Sequence, residues 1–280
     1  MSFYVMLGIL FGAVLHATWN AFIRSAPNKF VDTVLLLLGM GFWAGCLLPF
    51  VPFPSTACWP YLIATILIHV VYFTLIVLSY RDTELSFAYP IMRGTPPALT
   101  AVLAASLLKE SLSLIGWIGV LLISSGVVVL SFDSWRSSSF KRASLLIALS
   151  NAVVIVTYTL VDGVGVRLSG NSLSYIGWAF FLPMFPLVAA LLIRWRGPTA
   201  IYVRNNIKRG MVGGSCILGS YGIALWAMTH APIALVAALR ETSVLFGMVI
   251  AMLFLGEKVN CWRLLSIVAI SAGAVAIKLS

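Results

Sequence analysis

The stretch RGTPPALTAVLAASLLKE at residues 93–110 is matched, 147 positions further along the chain, by RETSVLFGMVIAMLFLGE at residues 240–257. Among the residue pairs that agree at this offset are Arg93 with Arg240, Thr95 with Thr242, Glu110 with Glu257 and Gly126 with Gly273. A weaker offset of 139 residues aligns Trp19 with Tyr158. Fixed offsets of this kind predict an internal duplication, so we expect two related halves.

Long apolar runs separated by short polar breaks make up the rest of the chain. Hydrophobic residues are 61% of the 280 residues and charged residues only 9%, whereas a soluble domain carries roughly 25% charge. About 20 helical residues cross a ~30 Å hydrocarbon layer, and hydropathy windows of that length predict ten transmembrane helices. The predicted spans are 3–23, 31–50, 59–80, 86–108, 113–132, 143–166, 173–193, 209–229, 232–255 and 261–278.

The most polar interruption leaves five predicted spans on each side of it. An odd number of crossings per half forces the second half to enter the membrane inverted. The sequence therefore predicts an all-α polytopic membrane protein with two inverted five-helix repeats. Their boundaries are 1–132 for the first repeat, 133–142 for a polar linker and 143–280 for the second repeat.

Two sets of residues indicate structural roles. Glycine pairs at GxxxG spacing favour close helix approach, which we expect mainly within the bundle of a monomer or weak homodimer; the pairs are Gly8 with Gly12, Gly41 with Gly45, and Gly210 with Gly214. Glu110 and Glu257 lie at the turns before the fifth and tenth predicted helices. We expect each carboxylate to accept N–H groups of the helix that follows it.

Several of these features together resemble a known family. Each half has a fourth helix that runs into a Glu-containing turn and a fifth helix that carries glycine. The stretches are HATWNA at 16–21, YTLVDG at 158–163, LRETS at 239–243 and LGE at 255–257. In these respects the chain resembles the EamA-type transporters of the drug/metabolite transporter superfamily. The resemblance implies that fold and a transport activity, usually with cytoplasmic termini, but it implies no particular substrate.

The loop charges predict the opposite orientation. Three basic residues lie at the face that carries both termini, whereas thirteen lie at the other face, at positions 24, 29, 81, 136, 141, 142, 194, 196, 204, 208, 209, 258 and 263. By the positive-inside rule the thirteen belong in the cytoplasm. We therefore expect both termini to be extracytoplasmic, in a plasma membrane of the bacterial inner-membrane type.

Three charged residues stand out inside the predicted spans: Arg93, Arg240 and Glu241. A charge at membrane depth costs roughly 2.5–3.5 kcal/mol on insertion scales, so each is expected to face the bundle interior or a wet cavity. The two arginines are predicted to attract an anionic substrate group, with carbonyl capping or snorkelling as the alternative. Glu241 replaces Gly94 of the first half and is our candidate for a substrate ammonium or a coupled proton, with a structural salt bridge as the alternative.

A second set of candidates lies on the first and sixth spans. His16, Trp19 and Asn20 share one helix face by their spacing, and Tyr158 aligns with Trp19. Aromatic walls with a few polar groups are typical of small-molecule sites. We predict that these four residues bind substrate, with an interfacial location as the alternative.

Other polar and aromatic residues are weaker candidates. Pro96 and Pro97 predict a kink or a gate in the fourth helix. A helix-end location is favoured for Asp162, and no role is assigned to His69 or His230. Packing or an interfacial belt is favoured for three further aromatic residues: Tyr72, Tyr221 and Trp226.

Transport of a small metabolite, such as an amino acid or an organic anion, explains these features best. No GxxxxGK[ST], HExxH or GxSxG motif occurs, so we expect facilitated or proton-coupled transport without a cofactor, a metal or enzymatic activity. Dispersed basic residues argue against nucleic-acid binding, which leaves the substrate and the lipid bilayer as partners. A flippase for a lipid-linked substrate is the main alternative, and an intramembrane enzyme a remote one.

Overall fold

The computed structural model describes residues 1–82, 85–130, 142–193, 197–255 and 260–280. The α-helices in these ranges are α1 (Phe3–Arg24), α2 (Lys29–Leu47), α3 (Trp59–Asp82), α4 (Leu85–Leu107), α5 (Leu114–Leu130), α6 (Arg142–Leu168), α7 (Ser172–Phe181), α8 (Met184–Ile193), α9 (Gly197–Met228), α10 (Ile233–Arg240), α11 (Ser243–Leu255) and α12 (Cys261–Leu279). Each of the ten predicted spans overlaps one helix, or in two cases a broken pair of helices, although α9 begins at Gly197 and not at the predicted residue 209. Glu257 and the predicted linker, except its last residue, lie outside the described residues.

The surface of the bundle is suited to lipid. Within the described residues, seven helical segments are long and apolar enough to cross a membrane. Large apolar side chains face outward along these helices; Phe11, Leu67 and Leu121, for example, are more than half exposed. So much exposed apolar surface is unfavourable in water, and the protein is an integral membrane protein.

Asparagine residues at the polar breaks fix where three helices begin. The side-chain oxygens of Asn28, Asn171 and Asn260 each accept a hydrogen bond from the backbone N–H three residues later, at 3.2, 3.1 and 2.9 Å. These bonds satisfy amide groups that have no partner within the helix. The short polar breaks therefore determine the starts of α2, α7 and α12.

The helices pack in a reciprocal pattern. The first helix of the amino-terminal half, α1, packs against α9, the third of the other half, and α6 packs against α3 in the same way. α4 packs against α6 while α10 and α11 pack against α1, and α5 packs against α12. Two related, interleaved halves would give this pattern, although the repeat boundaries themselves stay a prediction.

Glycines allow close helix contacts. A Cβ atom built on Gly214 of α9 would overlap backbone atoms of Gly39 and Met40 in α2. The other predicted glycine pairs also pack inside the bundle, Gly8 and Gly12 against α9, and Gly41 and Gly45 against α7 and α8. The expectation that these spacings serve internal packing is confirmed.

We expect Gly214→Ala to lower the free energy of unfolding by about 1–3 kcal/mol, because two backbones must move apart. Gly247→Ala is the matched control: a Cβ atom there meets no other atom within 4 Å, and alanine favours the helix. Thermal unfolding of the purified protein in detergent measures both changes. An equal melting temperature for the two variants would contradict the close packing of α2 on α9.

Candidate functional site

A cavity of ≈ 90 Å³ lies between the two halves, with walls from α1, α2, α3, α6, α9, α10 and the broken seventh span. This volume holds several water molecules or a small solute. Aromatic rings form much of its wall: Trp19, Tyr72, Tyr158, Phe180 and Tyr221. The lining also reaches Ile23, near the end of α1, and Thr33, near the start of α2, so the cavity approaches the basic face.

The first helix contributes His16 and Trp19 to this wall. Their rings make an edge contact, with centroids 4.9 Å apart, as expected for two residues one turn apart on a helix. Asn20 behaves differently, because its amide donates to the His16 carbonyl oxygen at 2.8 Å. Asn20 is therefore bound to its own helix and is not among the residues that line the cavity.

Arg93 and Glu241 form an ion pair beside the cavity. Arg93 Nε lies 3.3 Å from Glu241 Oε2, and both side chains are largely buried. Arg93 Nη2 donates to His16 Nε2 at 2.8 Å and to Ser243 Oγ at 3.3 Å. Because a guanidinium group only donates, His16 Nε2 must be the acceptor. Arg93 thus connects α4 to α1 and to the start of α11.

The ninth span is broken where this ion pair sits. The sequence predicted one helix over 232–255, but α10 ends at Arg240 and α11 begins at Ser243. Glu241 N–H and Thr242 N–H bond the Ala238 and Leu239 carbonyls, three residues back, at 3.0 and 3.1 Å. The Thr242 hydroxyl also donates to the Leu239 carbonyl, at 2.7 Å, and such side-chain bonds compete with regular helix. The prediction of a continuous helix was wrong because these local bonds satisfy the backbone in a tighter turn.

The seventh span is broken in a similar way. The prediction of one helix over 173–193 was wrong, because α7 ends at Phe181 and α8 begins at Met184. Pro183 lies at the break and on the cavity wall. Proline has no N–H group and cannot continue a helix without a lost hydrogen bond, and broken backbone at membrane depth is tolerated where it lines a cavity. By contrast, α4 continues through the buried Pro96 and Pro97.

Arg240 points to the cavity and not to the ion pair. Its guanidinium carbon lies 4.6 Å from the centre of the Tyr221 ring, a stacked cation–π arrangement. Within the described part of the chain, Arg240 forms no ion pair with a carboxylate. Adjacent helix residues point about 100° apart, which explains why Glu241 meets Arg93 while Arg240 faces the open space.

Asp162 lies at the same wall with its carboxylate held by two tyrosines. Tyr175 donates to Oδ1 at 2.9 Å and Tyr221 donates to Oδ2 at 2.6 Å. The aromatic rings next to it are close together: Tyr158 lies 4.8 Å from His69, 5.5 Å from Tyr72 and 5.8 Å from Tyr221 between centroids. One end of the cavity is therefore both aromatic and acidic.

The face opposite the basic one is held closed by a second ion pair. Arg167 Nη2 lies 2.7 Å from Glu110 Oε1, which also accepts from the backbone N–H of Ile233 at 3.1 Å. Glu110 was expected to bond the start of the fifth helix. Instead it bonds the start of α10 in the other half, because Lys109 with φ 55° reverses the chain after α4. This carboxylate links the two halves at the terminal face.

Comparison with known proteins agrees with this architecture. Residues 3–132 match the EamA-like transporter family. This match places the amino-terminal half of the chain with the EamA-type transporters of the drug/metabolite transporter superfamily. The family match implies a membrane transporter, with a small-molecule substrate and the lipid bilayer as its partners. No curated protein matches its sequence. A crystal structure of another protein shares the fold, with a TM-score of 0.69 at 16% identity over 99% of this chain and 96% of the other.

The structure of this EamA-type transporter brings only some of the predicted site residues to the cavity. Four of them line it: His16, Trp19, Tyr158 and Arg240. Two others, Arg93 and Glu241, form an ion pair beside the cavity. The seventh, Asn20, bonds its own helix and does not line the cavity. That the residues bind substrate stays a prediction.

Sequence reasoning gave too little weight to Asp162, His69, Tyr72 and Tyr221, all of which line the cavity. Trp226 does not line it and packs on His230 with centroids 4.9 Å apart. A missed signal was Pro183 at the middle of an apolar span, since a proline there marks a break in the helix. The convergence of rings from α3, α6 and α9 has no signature in the spacing of one helix.

Proposed function

We propose that this EamA-type transporter carries small carboxylate-bearing metabolites, amino acids among them, across the membrane through the described cavity. The observation that supports the proposal most is Arg240, a guanidinium group on the cavity wall without a carboxylate partner in the described residues. A cation at membrane depth is costly unless it serves a site. Guanidinium binds carboxylates with two parallel hydrogen bonds and can stay stacked on an aromatic face while it does so.

The rest of the wall supports a small organic substrate. Aromatic faces from Trp19, Tyr158 and Phe180 offer an apolar surface for the body of such a molecule, while hydroxyl groups of Thr65 and Ser220 provide a few polar contacts. Cavities of this composition are typical of small-molecule sites. The two broken spans beside the cavity are also the kind of element that transporters use near a midplane site.

The position of the closed face supports a mechanism of alternating access. The cavity reaches toward the basic face, whereas Glu110 and Arg167 tie the halves together at the opposite face. We assign this arrangement to a state open toward the basic face. Transport then requires the Glu110–Arg167 contact to separate as the halves rock against each other.

We assign the coupled proton to Glu241. Its carboxylate lies at the break of the ninth span and holds Arg93 by charge. A proton on Glu241 would cancel the attraction and free Arg93 to move with α4, so protonation and conformation would be linked. Facilitated transport without a proton is the alternative.

Uptake into proteoliposomes tests the proposal with radiolabelled amino acids and organic anions, with and without a pH gradient. We expect Arg240→Gln to raise KM roughly tenfold or more, because a charge-assisted bond worth about 1.5–3 kcal/mol is lost. Arg204→Gln, which removes an exposed arginine, is the matched control and should not change KM. Glu241→Gln should retain downhill transport and lose its stimulation by the pH gradient.

Unchanged transport in Arg240→Gln would refute the proposed site. A pH-gradient effect that survives Glu241→Gln would refute the assignment of the proton and leave the facilitated mechanism or another proton carrier.

The orientation is a separate proposal that rests on the thirteen basic residues of one face. We propose that this face is cytoplasmic and that both termini are extracytoplasmic. With the four native cysteines replaced by alanine, Thr229→Cys reports on the terminal face and Asn205→Cys on the basic face, since both residues are exposed. In right-side-out vesicles a membrane-impermeant maleimide should label Thr229→Cys, and should label Asn205→Cys only after lysis. The reverse pattern would place the termini in the cytoplasm.

A further inference from the structure

Asp162 is a buried carboxylate that no basic side chain of the described residues neutralises. It is 1% exposed, it lies on the cavity wall, and within the described residues it takes part in no ion pair. Its carboxylate accepts hydrogen bonds from the hydroxyl groups of Tyr175 and Tyr221. Two neutral hydroxyl donors orient a carboxylate and leave further lone pairs of its oxygens available. A buried charge held only in this way retains a strong attraction for a cation.

Around the cavity, the described residues include one ion pair and two charged residues that form no ion pair. Arg93 and Glu241 neutralise each other at 3.3 Å. Arg240 and Asp162 remain, and Tyr221 lies between them with its ring 4.6 Å from the guanidinium carbon and its hydroxyl 2.6 Å from the carboxylate. Opposite charges thus flank one phenol side chain. A substrate with both a carboxylate and an ammonium group would neutralise both, whereas an organic anion would leave Asp162 unpaired.

The surroundings of Asp162 are suited to an ammonium group. Rings of Tyr72, Tyr158 and Tyr221 gather around His69 with centroids 4.8 to 6.2 Å from it. Aromatic faces attract cations, and the attraction increases when water is excluded. Thr65, whose hydroxyl lies 3.0 Å from His69 Nδ1, adds an oxygen to the same wall. An anionic group would meet repulsion from the carboxylate at this end.

We propose that Asp162 is the ammonium subsite of the cavity and selects substrates that carry a protonated amine beside their carboxylate. This inference rests on the proposed function, because it takes Arg240 as the site of the carboxylate. Glu241, the carboxylate that the sequence favoured for this role, is paired with Arg93 and does not line the cavity. Asp162 binds the ammonium group of the substrate, and Arg240 binds its carboxylate.

The test compares three versions of one ligand. Each of the twenty standard amino acids is first screened for thermal stabilisation of the purified protein, since a ligand that binds only the folded state raises its melting temperature. The amino acid with the largest effect is then compared with its deaminated acid and its decarboxylated amine. Dissociation constants are measured for the native protein, Asp162→Asn, Arg240→Gln and Tyr175→Phe.

The native protein should bind the amino acid at least tenfold more tightly than the deaminated acid. Asp162→Asn should remove this preference by weakening the amino acid and leaving the deaminated acid unchanged. Arg240→Gln should weaken the amino acid and the deaminated acid but not the amine. Tyr175→Phe is the control for a structural role: it removes one hydrogen bond of Asp162 and should lower stability while the preference is kept.

Three outcomes would overturn the inference. They are equal weakening of amino acid and deaminated acid in Asp162→Asn, equal affinity of the native protein for both, and no binding of any amino acid. The second outcome needs no variant, so it decides the question even if Asp162→Asn fails to fold. Organic-anion transport that depends on Arg240 in the absence of amino acid binding would refute the ammonium subsite and leave the proposed function standing. Transport that is indifferent to Arg240 would refute the function itself.

Discussion

The ion pair between Arg93 and Glu241 is the contact on which the interior of this transporter depends. In a bundle surrounded by lipid an ion without a partner is costly, so the pair fixes α4 against the break of the ninth span at 3.3 Å. His16 and Ser243 accept from the same guanidinium group, which brings α1 and α11 into the arrangement. With Glu241 held on this side, Arg240 is turned toward Tyr221 and the cavity.

Pseudo-symmetry explains where the two arginines lie but not what they do. Arg93 and Arg240 occupy equivalent positions of the predicted repeat. Arg93 forms an ion pair with Glu241, whereas Arg240 faces the cavity. The difference comes from Glu241, which replaces the Gly94 of the first half and provides a partner for Arg93 alone. The breaks are asymmetric as well, since α4 is continuous through two prolines while its counterpart is interrupted at residues with none. Arg93 is therefore held in an ion pair, whereas Arg240 faces the cavity.

Features that depend on the solvent or on a single helix could be predicted from the sequence. Hydropathy indicated all ten spans because about 20 apolar residues cross a bilayer, and glycine spacing indicated close helix packing inside the bundle. The shared face of His16 and Trp19 followed from helical periodicity. Asn20 shares that face as well, but its amide bonds the His16 carbonyl, which spacing does not indicate. The partner of Glu241, the gathering of rings around His69 and the exposure of Asp162 to the cavity depend on which helices meet, and no periodicity carries that information.

The measurement that tests this account most directly is a double-mutant cycle on the ion pair, with free energies of unfolding for the native protein, Arg93→Gln, Glu241→Gln and the double variant. Each single change leaves a buried charge without its partner, and we expect each to cost on the order of 3–5 kcal/mol. The double variant should cost less than the sum of the two by more than about 1 kcal/mol. A parallel cycle of Glu241→Gln with the exposed Arg204→Gln should be additive. Additive costs for Arg93 and Glu241 would contradict the ion pair. They would also contradict the proposal that this pairing leaves Arg240 and Asp162 to bind the substrate.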